Sequence, residues 1–234
     1  MNQYKLGLVS VSFRSRTPKE ILEAMNTVGL SEIEWGSDVH APADNIDRLL
    51  ELAALPRADG IECCSYGTYF KFGKHSVDEL ERYIRAAKLI GTDFLRLWCG
   101  RKSGADMDDA ERQMLLEDCR KAAKIAERQG VTLCMECHQK TFTERADDAA
   151  WLMNEIASPH FRMYWQPFCE ETATENLARA KMLAPYTEHL HVFNWRGDKK
   201  LPLKEATDDW KAYLSCFSTP RTLLLEFMPN YTLE

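Results

Sequence analysis

The sequence predicts an α/β fold, a single (β/α)8 barrel that comprises residues 1–234. Apolar, strand-like runs alternate with helical patterns along the chain, and the runs recur about every 31 residues, which is the size of one βα unit. In addition, no low-complexity linker and no change in composition divides the chain. Because barrels of this kind often form from about 200–250 residues as one unit, we expect one domain.

Eight strands are predicted, one for each apolar run. They begin near residues 5, 32, 60, 93, 131, 161, 188 and 221. Seven helices are predicted between them, with the ranges Thr17–Val28, Ala43–Leu55, Ser76–Ile90, Asp108–Gln129, Ala146–Ile156, Thr172–Leu183 and Asp208–Phe217.

Capping residues mark several of the predicted helix ends. Thr17 is a good N-cap, and Pro18 suits the first turn that follows it. Glycines follow three helical stretches, where a left-handed residue is favoured: Gly29, Gly91 and Gly130. Only seven residues follow Phe227, so the barrel is predicted to lack the usual eighth helix.

The bulk composition argues against several classes of partner. Hydrophobic residues make up 45% of the chain and charged residues 28%, which supports a full core and a polar surface. The formal net charge of −6 argues against nucleic acid or an anionic membrane, since both attract a basic surface. No segment approaches the roughly 20 apolar residues of a membrane span. We therefore expect neither a nucleic-acid partner nor a membrane partner.

The eight cysteines are interpreted as reduced thiols of a cytoplasmic protein. The N-terminus lacks the apolar core of a secretion signal and reads as the first strand. Cys134 and Cys137 form a CxxC, but inside a strand these two positions face opposite sides, and no second CxxC completes a zinc site. We expect the cysteines to act as small apolar core residues.

Four strand-like segments in the second half of the chain end in groups that can bind a metal. These groups are Glu136, Gln166, His191 and Glu226. The C-terminal ends of barrel strands meet at one face, where active sites lie, so the four are expected to converge. Two carboxylates, an imidazole and an amide oxygen suit one divalent cation, with Mn²⁺, Co²⁺ or Mg²⁺ ahead of Zn²⁺.

Each of these ligands, taken alone, has a simpler interpretation. Glu136 or Glu226 can be a buried carboxylate that pairs with Arg96, and Gln166 can simply bond to backbone. The joint pattern favours the metal, because burying the set without a counter-ion costs several kcal/mol. His189 shares a face with His191, and His191 is chosen because it is nearer the strand end.

Seven more residues near the strand ends are predicted to contact substrate. His138 lies two residues past Glu136 on the same face, where it can reach substrate hydroxyls. The aromatic rings among the seven can stack on the apolar face of a sugar, or else they are ordinary core residues. The arginine after the seventh strand can hold a phosphate, or else it is a solvated loop residue. The set is Trp35, His40, Tyr66, Arg96, Trp98, His138 and Arg196.

Several segments resemble the sugar isomerase/epimerase superfamily of xylose isomerase-like TIM barrels. They are EIEWGSDVH, LCMECHQKTFT, HLHVFNW and LLLEF, and the resemblance spans nearly the whole chain. In the similar ketose 3-epimerases, Glu, Asp, His and Glu from strands five to eight hold the metal, and the two glutamates are also acid and base. This implies catalytic roles for Glu136 and Glu226. The resemblance also implies a homo-oligomer.

The sequence departs from the epimerase pattern at several positions. Gln166 stands where those enzymes usually have aspartate, and Cys169 stands where they carry a substrate-contacting histidine. Phe142 occupies the place of a second glutamate, and Arg196 is one residue short of the epimerase arginine. These departures concern the substrate more than the metal.

The resemblance implies a metal-dependent isomerase or epimerase that acts on a sugar or sugar phosphate. It would transfer a proton next to a carbonyl group through a metal-bound enediolate. Two alternatives use the same scaffold: a dehydratase of cyclic polyols, and a sugar-binding relative without catalysis. A three-zinc endonuclease of abasic DNA is disfavoured, since the chain has only six histidines and a negative net charge.

Overall fold

The computed structural model describes residues 4–58, 60–219 and 221–229, and eight parallel strands in it close into a barrel. Each strand pairs with the next along the chain, and β8 pairs with β1. The predicted (β/α)8 barrel is confirmed, and every predicted strand start lies within two residues of the observed one. The strands are β1 Lys5–Val9, β2 Glu32–Gly36, β3 Glu62–Lys71, β4 Phe94–Trp98, β5 Thr132–Glu136, β6 Phe161–Trp165, β7 Thr187–Val192 and β8 Thr222–Leu225.

Seven α-helices connect the strands in the described part of the chain. The predicted caps are confirmed: Thr17 forms a capping box with Glu20, and Gly29, Gly91 and Gly130 are left-handed. The helices are α1 Pro18–Val28, α2 Ile46–Ala58, α3 Leu80–Ile90, α4 Asp109–Gln129, α5 Ala146–Ile156, α6 Ala173–Leu183 and α7 Thr207–Leu214.

Four helix boundaries differ from the prediction by three or more residues. Helix α2 ends at Ala58 rather than Leu55, and α7 ends at Leu214 rather than Phe217. The two helix starts that differ have identifiable reasons. Helix α2 begins three residues later than Ala43, because the Asn45 side chain accepts a hydrogen bond from the backbone N–H of Arg48 and so caps the helix. The region from Ser76 begins with a short 3₁₀ turn, Val77–Glu79, before α3. Such turns are common at helix N-termini.

The segments after β7 and β8 border the C-terminal face of the barrel. A two-stranded hairpin, Trp195–Arg196 with Lys199–Lys200, follows β7. After β8, residues 226–229 contain no helix, and residues 230–234 lie outside the described residues. None of the helices described is long and apolar enough to cross a membrane.

Side chains inside the barrel form two layers that matter for the site. Outward-facing strand residues such as Leu95, Leu133 and Leu190 belong to the large core between strands and helices. Inward-facing residues alternate with them. The upper layer, at or just past the strand ends, consists of Glu136, Gln166, His191 and Glu226. The lower layer, two residues earlier on the same four strands, consists of Cys134, Tyr164, His189 and Leu224.

Candidate active site

Three acidic and basic side chains of the upper layer converge at the C-terminal end of the barrel. Glu136, His191 and Glu226 are buried, and one ligand atom from each lies within 4.8 Å of the others. His191 Nδ1 is the centre of the group, at 3.2 Å from Glu226 Oε2 and 3.6 Å from Glu136 Oε1. Strands β5, β7 and β8 hold these residues at their ends, as the alternation of strand faces predicts.

Gln166 completes the upper layer through its amide oxygen. Its Nε2 donates a hydrogen bond of 2.9 Å to the backbone oxygen of Cys137. This leaves Oε1 directed to His191 Nδ1, at 2.9 Å. The four predicted ligands therefore lie together, with a nitrogen and three side-chain oxygens facing one point. We call Glu136, Gln166, His191 and Glu226 the ligand cluster.

Glu136 is held in its charged form by two donors. Its Oε2 accepts a hydrogen bond of 2.5 Å from Arg96 Nη1 and another from the indole N–H of Trp98. Burial by itself would raise the pKa of Glu136, but the positive charge of Arg96 and the contact with His191 outweigh it and hold that pKa well below its usual range. Oε1 remains directed to the ligand cluster.

His191 is completely buried among carboxylates. Burial disfavours its charged form, but Glu226, Glu136 and Glu34 together raise the pKa of its imidazole well above the ordinary value. Its second ring nitrogen, Nε2, points down to Glu34 on β2, with Oε1 at 3.8 Å. Glu34 in turn accepts a hydrogen bond of 2.9 Å from Arg96 Nε.

Glu34 and Arg96 form a buried ion pair beside the cluster. Burial raises the pKa of Glu34, but the charge of Arg96 and the contact with His191 lower it overall, to about 2. Arg96 therefore links two carboxylates, Glu34 below and Glu136 above. Glu136 is thus a buried carboxylate that pairs with Arg96, as its simpler interpretation predicts. That pairing does not explain why His191, Gln166 and Glu226 also converge on Glu136.

His189, the alternative ligand, lies in the lower layer and outside the group formed by Glu136, His191 and Glu226. Its ring packs edge-on against Phe94, with the ring centroids 4.8 Å apart, and tilts against Tyr164 at 5.1 Å. Burial lowers its pKa to about 4, so the ring is neutral. The structure thus places His191, rather than His189, in the ligand cluster.

An open cavity of about 360 Å³ leads from the surface to the cluster. This is within the range of small-molecule sites. Aromatic side chains form much of its wall, with Trp98 on one side and Trp195 and Phe227 from the segments after β7 and β8. At the rim, Arg14 binds Asp38 and the hydroxyl of Tyr69.

Three of the seven predicted substrate residues line this cavity. Arg96 and Trp98 lie beside Glu136, and His138 packs against Trp98 with the ring centroids 5.0 Å apart. The Nδ1 of His138 contacts the backbone oxygen of Gln139 at 2.7 Å, which leaves the other ring nitrogen for a further partner.

The other four predicted substrate residues do not line the cavity. Trp35 is completely buried in the core outside the strands, because the alternation that turns Glu34 inward turns Trp35 outward. Tyr66 is buried as well, and its hydroxyl donates to the backbone oxygen of Ala41 at 2.6 Å. The remaining two face other partners. His40 Nε2 contacts the backbone oxygen of Arg16. Arg196 forms an ion pair with Asp209 on α7.

Several lining residues were not predicted as site residues. Arg14 and Tyr69 lie in the loop after β1 and at the end of β3, and both positions follow the rule that strand ends carry the site. Trp195 follows β7, the strand that carries His191, and Phe227 follows Glu226 at the end of β8. Their positions just past predicted ligands were the signal available in the sequence.

The donors present fit a divalent cation. Two carboxylates, an imidazole nitrogen and an amide oxygen form a mixed oxygen-rich set. Arg96 and His191 compensate part of the negative charge of the two carboxylates, and burying such a group without a cation is costly. An ion held between Glu136, Gln166, His191 and Glu226 would remove that cost.

Comparison with known proteins agrees with the barrel fold. The model of a family described as xylose isomerase-like TIM barrel matches residues 22–219. Comparison with curated protein sequences gives no significant match. The probable 3-DHS dehydratase AsbF involved in petrobactin synthesis, from Bacillus anthracis, superposes with a TM-score of 0.81 at 17% identity, covering 97% of this chain and 94% of that one.

Two further solved structures are similar at lower scores. The IolI protein with a bound zinc atom has a TM-score of 0.73 at 14% identity, with 97% of this chain and 90% of that one covered. An L-ribulose 3-epimerase has a TM-score of 0.72 at 14% identity, with 99% and 84% covered. At these identities the likeness shows the fold.

Proposed function

The chain belongs to the xylose isomerase-like TIM barrel family, and from this premise we propose that it is a divalent-metal-dependent sugar isomerase or epimerase. The reaction would move a proton on a carbon atom next to a carbonyl group. The observation that carries the proposal is the convergence of Glu136 and Glu226 on His191 Nδ1, at 3.6 and 3.2 Å, beneath a cavity of small-molecule size. Purely structural glutamates do not require this arrangement.

Glu136, Gln166, His191 and Glu226 would hold the ion. When bound, a divalent cation supplies a Lewis acid that polarises a substrate carbonyl and makes the neighbouring C–H more acidic. The similar IolI protein carries zinc, but the oxygen-rich donor set here also suits Mn²⁺, Co²⁺ or Mg²⁺.

The two glutamates have different partners. Glu136 accepts hydrogen bonds from Arg96 and Trp98, and both donors stabilise its charged form. Glu226 contacts His191 instead. In this proposal Glu136 and Glu226 act on opposite faces of the reacting carbon, one as the base that removes a proton and the other as the acid that returns one in epimerisation.

The lining of the cavity supplies the remaining binding groups. Trp98 and Trp195 present aromatic faces on which the apolar side of a sugar can stack. His138 and Arg96 lie next to Glu136, where they can donate to substrate oxygens. A sugar or a sugar phosphate is the proposed substrate class.

The test is elemental analysis of the purified protein, followed by screening of ketoses and aldoses in D₂O after metal reconstitution. We expect about one divalent ion per chain and deuterium at a carbon next to the carbonyl. A protein that takes up no ion after reconstitution would contradict the proposal. Ion uptake with sugar-dependent thermal stabilisation but no exchange would indicate a binding protein without catalysis.

A second candidate, dehydration of a cyclic hydroxyketone or polyol, is favoured by the aromatic wall. Trp98, Trp195 and Phe227 leave a mainly apolar surface that suits a ring better than an open-chain sugar. In a cyclic polyol that carries a ketone group the proton abstraction is the same, and the β-hydroxyl then takes up a proton from the acidic glutamate and leaves as water. Mass spectrometry of the products separates the two reactions, because dehydration removes 18 mass units and isomerisation removes none.

A further inference from the structure

Beneath the ligand cluster, we infer that Glu34 is a positioning residue for the metal ligand His191. When the ion is bound, its carboxylate would accept a hydrogen bond from His191 Nε2 and thereby fix the imidazole with Nδ1 directed to the ion. The inference rests on the proposed metal site, and it assigns a role to a residue outside the ligand set.

The two nitrogens of His191 have different surroundings. Nδ1 lies 2.9 Å from Gln166 Oε1 and 3.2 Å from Glu226 Oε2, so it is the nitrogen that faces the ion site. Nε2 has no hydrogen-bond partner among the residues that the structure describes. A neutral imidazole that binds an ion through Nδ1 carries its proton on Nε2.

A donor at this depth requires an acceptor. His191 is completely buried, and an N–H without a partner there costs on the order of 1–3 kcal/mol. Glu34 Oε1 lies 3.8 Å from Nε2. A side-chain adjustment of about 0.9 Å shortens this distance to that of a normal hydrogen bond.

Glu34 has the remaining capacity for this bond. It is completely buried on the inner face of β2, and its Oε2 has no hydrogen-bond partner in the described parts of the chain. Arg96 binds Oε1 at 2.9 Å and keeps the carboxylate charged. A charged acceptor makes a stronger bond to the imidazole and increases the basicity of Nδ1.

Gly67 on β3 provides the space in which Glu34 and Arg96 meet. A Cβ at this position would lie 2.5 Å from Glu34 Oε1 and 2.8 Å from Arg96 Nη2. Any other residue would displace the carboxylate from its place below His191. Glu34 can therefore take its position below His191 only if residue 67 on β3 is glycine.

The test compares Mn²⁺ binding by wild type, Glu34→Gln and Glu32→Gln in calorimetric titrations of the full chain. We expect Glu34→Gln to weaken binding by about 10–100-fold, the typical effect of removing the partner of a ligating histidine. Glu32 is the matched control. It is buried on the same strand and the same face, but it pairs with Lys5, and its substitution should leave affinity unchanged.

A second measurement separates this role from an indirect effect through Arg96 and Glu136. In ¹⁵N-labelled protein loaded with Zn²⁺, we expect the His191 Nε2–H proton to resonate far downfield and to exchange slowly with solvent. In Glu34→Gln it should shift upfield or exchange faster. An unchanged resonance combined with weaker binding would assign the effect to Arg96 and overturn the inference.

The remaining outcomes also decide the question. Equal Mn²⁺ affinity in Glu34→Gln and wild type would overturn the inference and leave the proposed function intact. A wild-type spectrum in which Nε2, rather than Nδ1, binds the ion would also overturn it, even if the variant fails to fold. A wild type that binds no ion would overturn both the inference and the proposed function.

Discussion

The two inner layers of the barrel differ in charge although they lie on the same four strands. The upper layer places two carboxylates, an imidazole and an amide at the cavity, whereas the lower layer has a thiol, a phenol, a neutral imidazole and a leucine. Only two residues separate the layers on each strand. On these four strands, neutral side chains pack the lower layer, and charged side chains occur where the cavity gives access to a ligand that can compensate them.

The histidines of β7 show this difference within one residue type. His189 packs between aromatic rings, and burial lowers its pKa to about 4. His191 lies among glutamates, which raise its pKa well above the ordinary value despite equal burial. The surroundings, rather than depth, therefore decide the charge state of each ring.

The largest expected effect is on catalysis, from the upper layer. Glu226→Gln keeps the size of the side chain but removes one of the two proposed acid–base groups, so the rate of proton exchange should fall at least ~10³-fold. Glu136→Gln should have a similar effect. The measurement is deuterium incorporation at saturating metal, with circular dichroism to confirm the fold.

The matched control for this prediction is in the lower layer. Cys134 lies two residues before Glu136 on the same face of β5. Cys134→Ala should change turnover by less than about threefold, because it alters packing alone. Near-normal turnover in either glutamine variant would contradict the assignment of the glutamates as acid and base.

The next largest expected effect is on stability, from the lower layer. Leu224 is completely buried in the lower layer of β8. Leu224→Ala should lower the free energy of unfolding by about 2–5 kcal/mol, since it leaves a cavity. Metal affinity should be retained in the folded protein. Urea denaturation and calorimetric titration measure the two quantities, and loss of binding without loss of stability would show that the layers are not separable.

The sequence was sufficient to predict the barrel and the convergence of Glu136, His191 and Glu226, because both follow from short-range patterns. Alternating apolar runs place strand ends, and Glu136, His191 and Glu226 each occur at such an end. The same alternation excludes Trp35 from the site, since Glu34 beside it faces inward.

Other features depend on contacts that no local pattern encodes. The register between β2 and β3 shifts at Ile33 and Glu34, so the orientation of Tyr66 cannot be read by counting along the strand. The approach of Glu34 to His191 joins two strands across the barrel. This contact can be recognised only in the closed barrel.

The third prediction uses the pH response of His189. Its pKa is lower in the fold than the ordinary 6.5, so its stabilising contribution is fully present above pH 6.5 and is lost as pH falls towards about 4. The loss is on the order of 3 kcal/mol. Urea denaturation of metal-free wild type and His189→Gln between pH 4 and 7.5 should show a steeper dependence in wild type, and parallel curves would contradict the prediction.

The smallest expected effect concerns Gln166, the amide member of the proposed ligand set. Gln166→Asp adds a negative charge beside His191 Nδ1, so we expect divalent metal to bind about tenfold more tightly. Asn176 offers a control, because its amide also bonds to backbone but lies at the start of α6, and Asn176→Asp should leave affinity unchanged. Calorimetric titration with Mn²⁺ compares the three proteins. Equal or weaker binding by Gln166→Asp would mean that the amide orients His191 and Cys137 without binding the ion, and the charged part of the upper layer would then be limited to Glu136, His191 and Glu226.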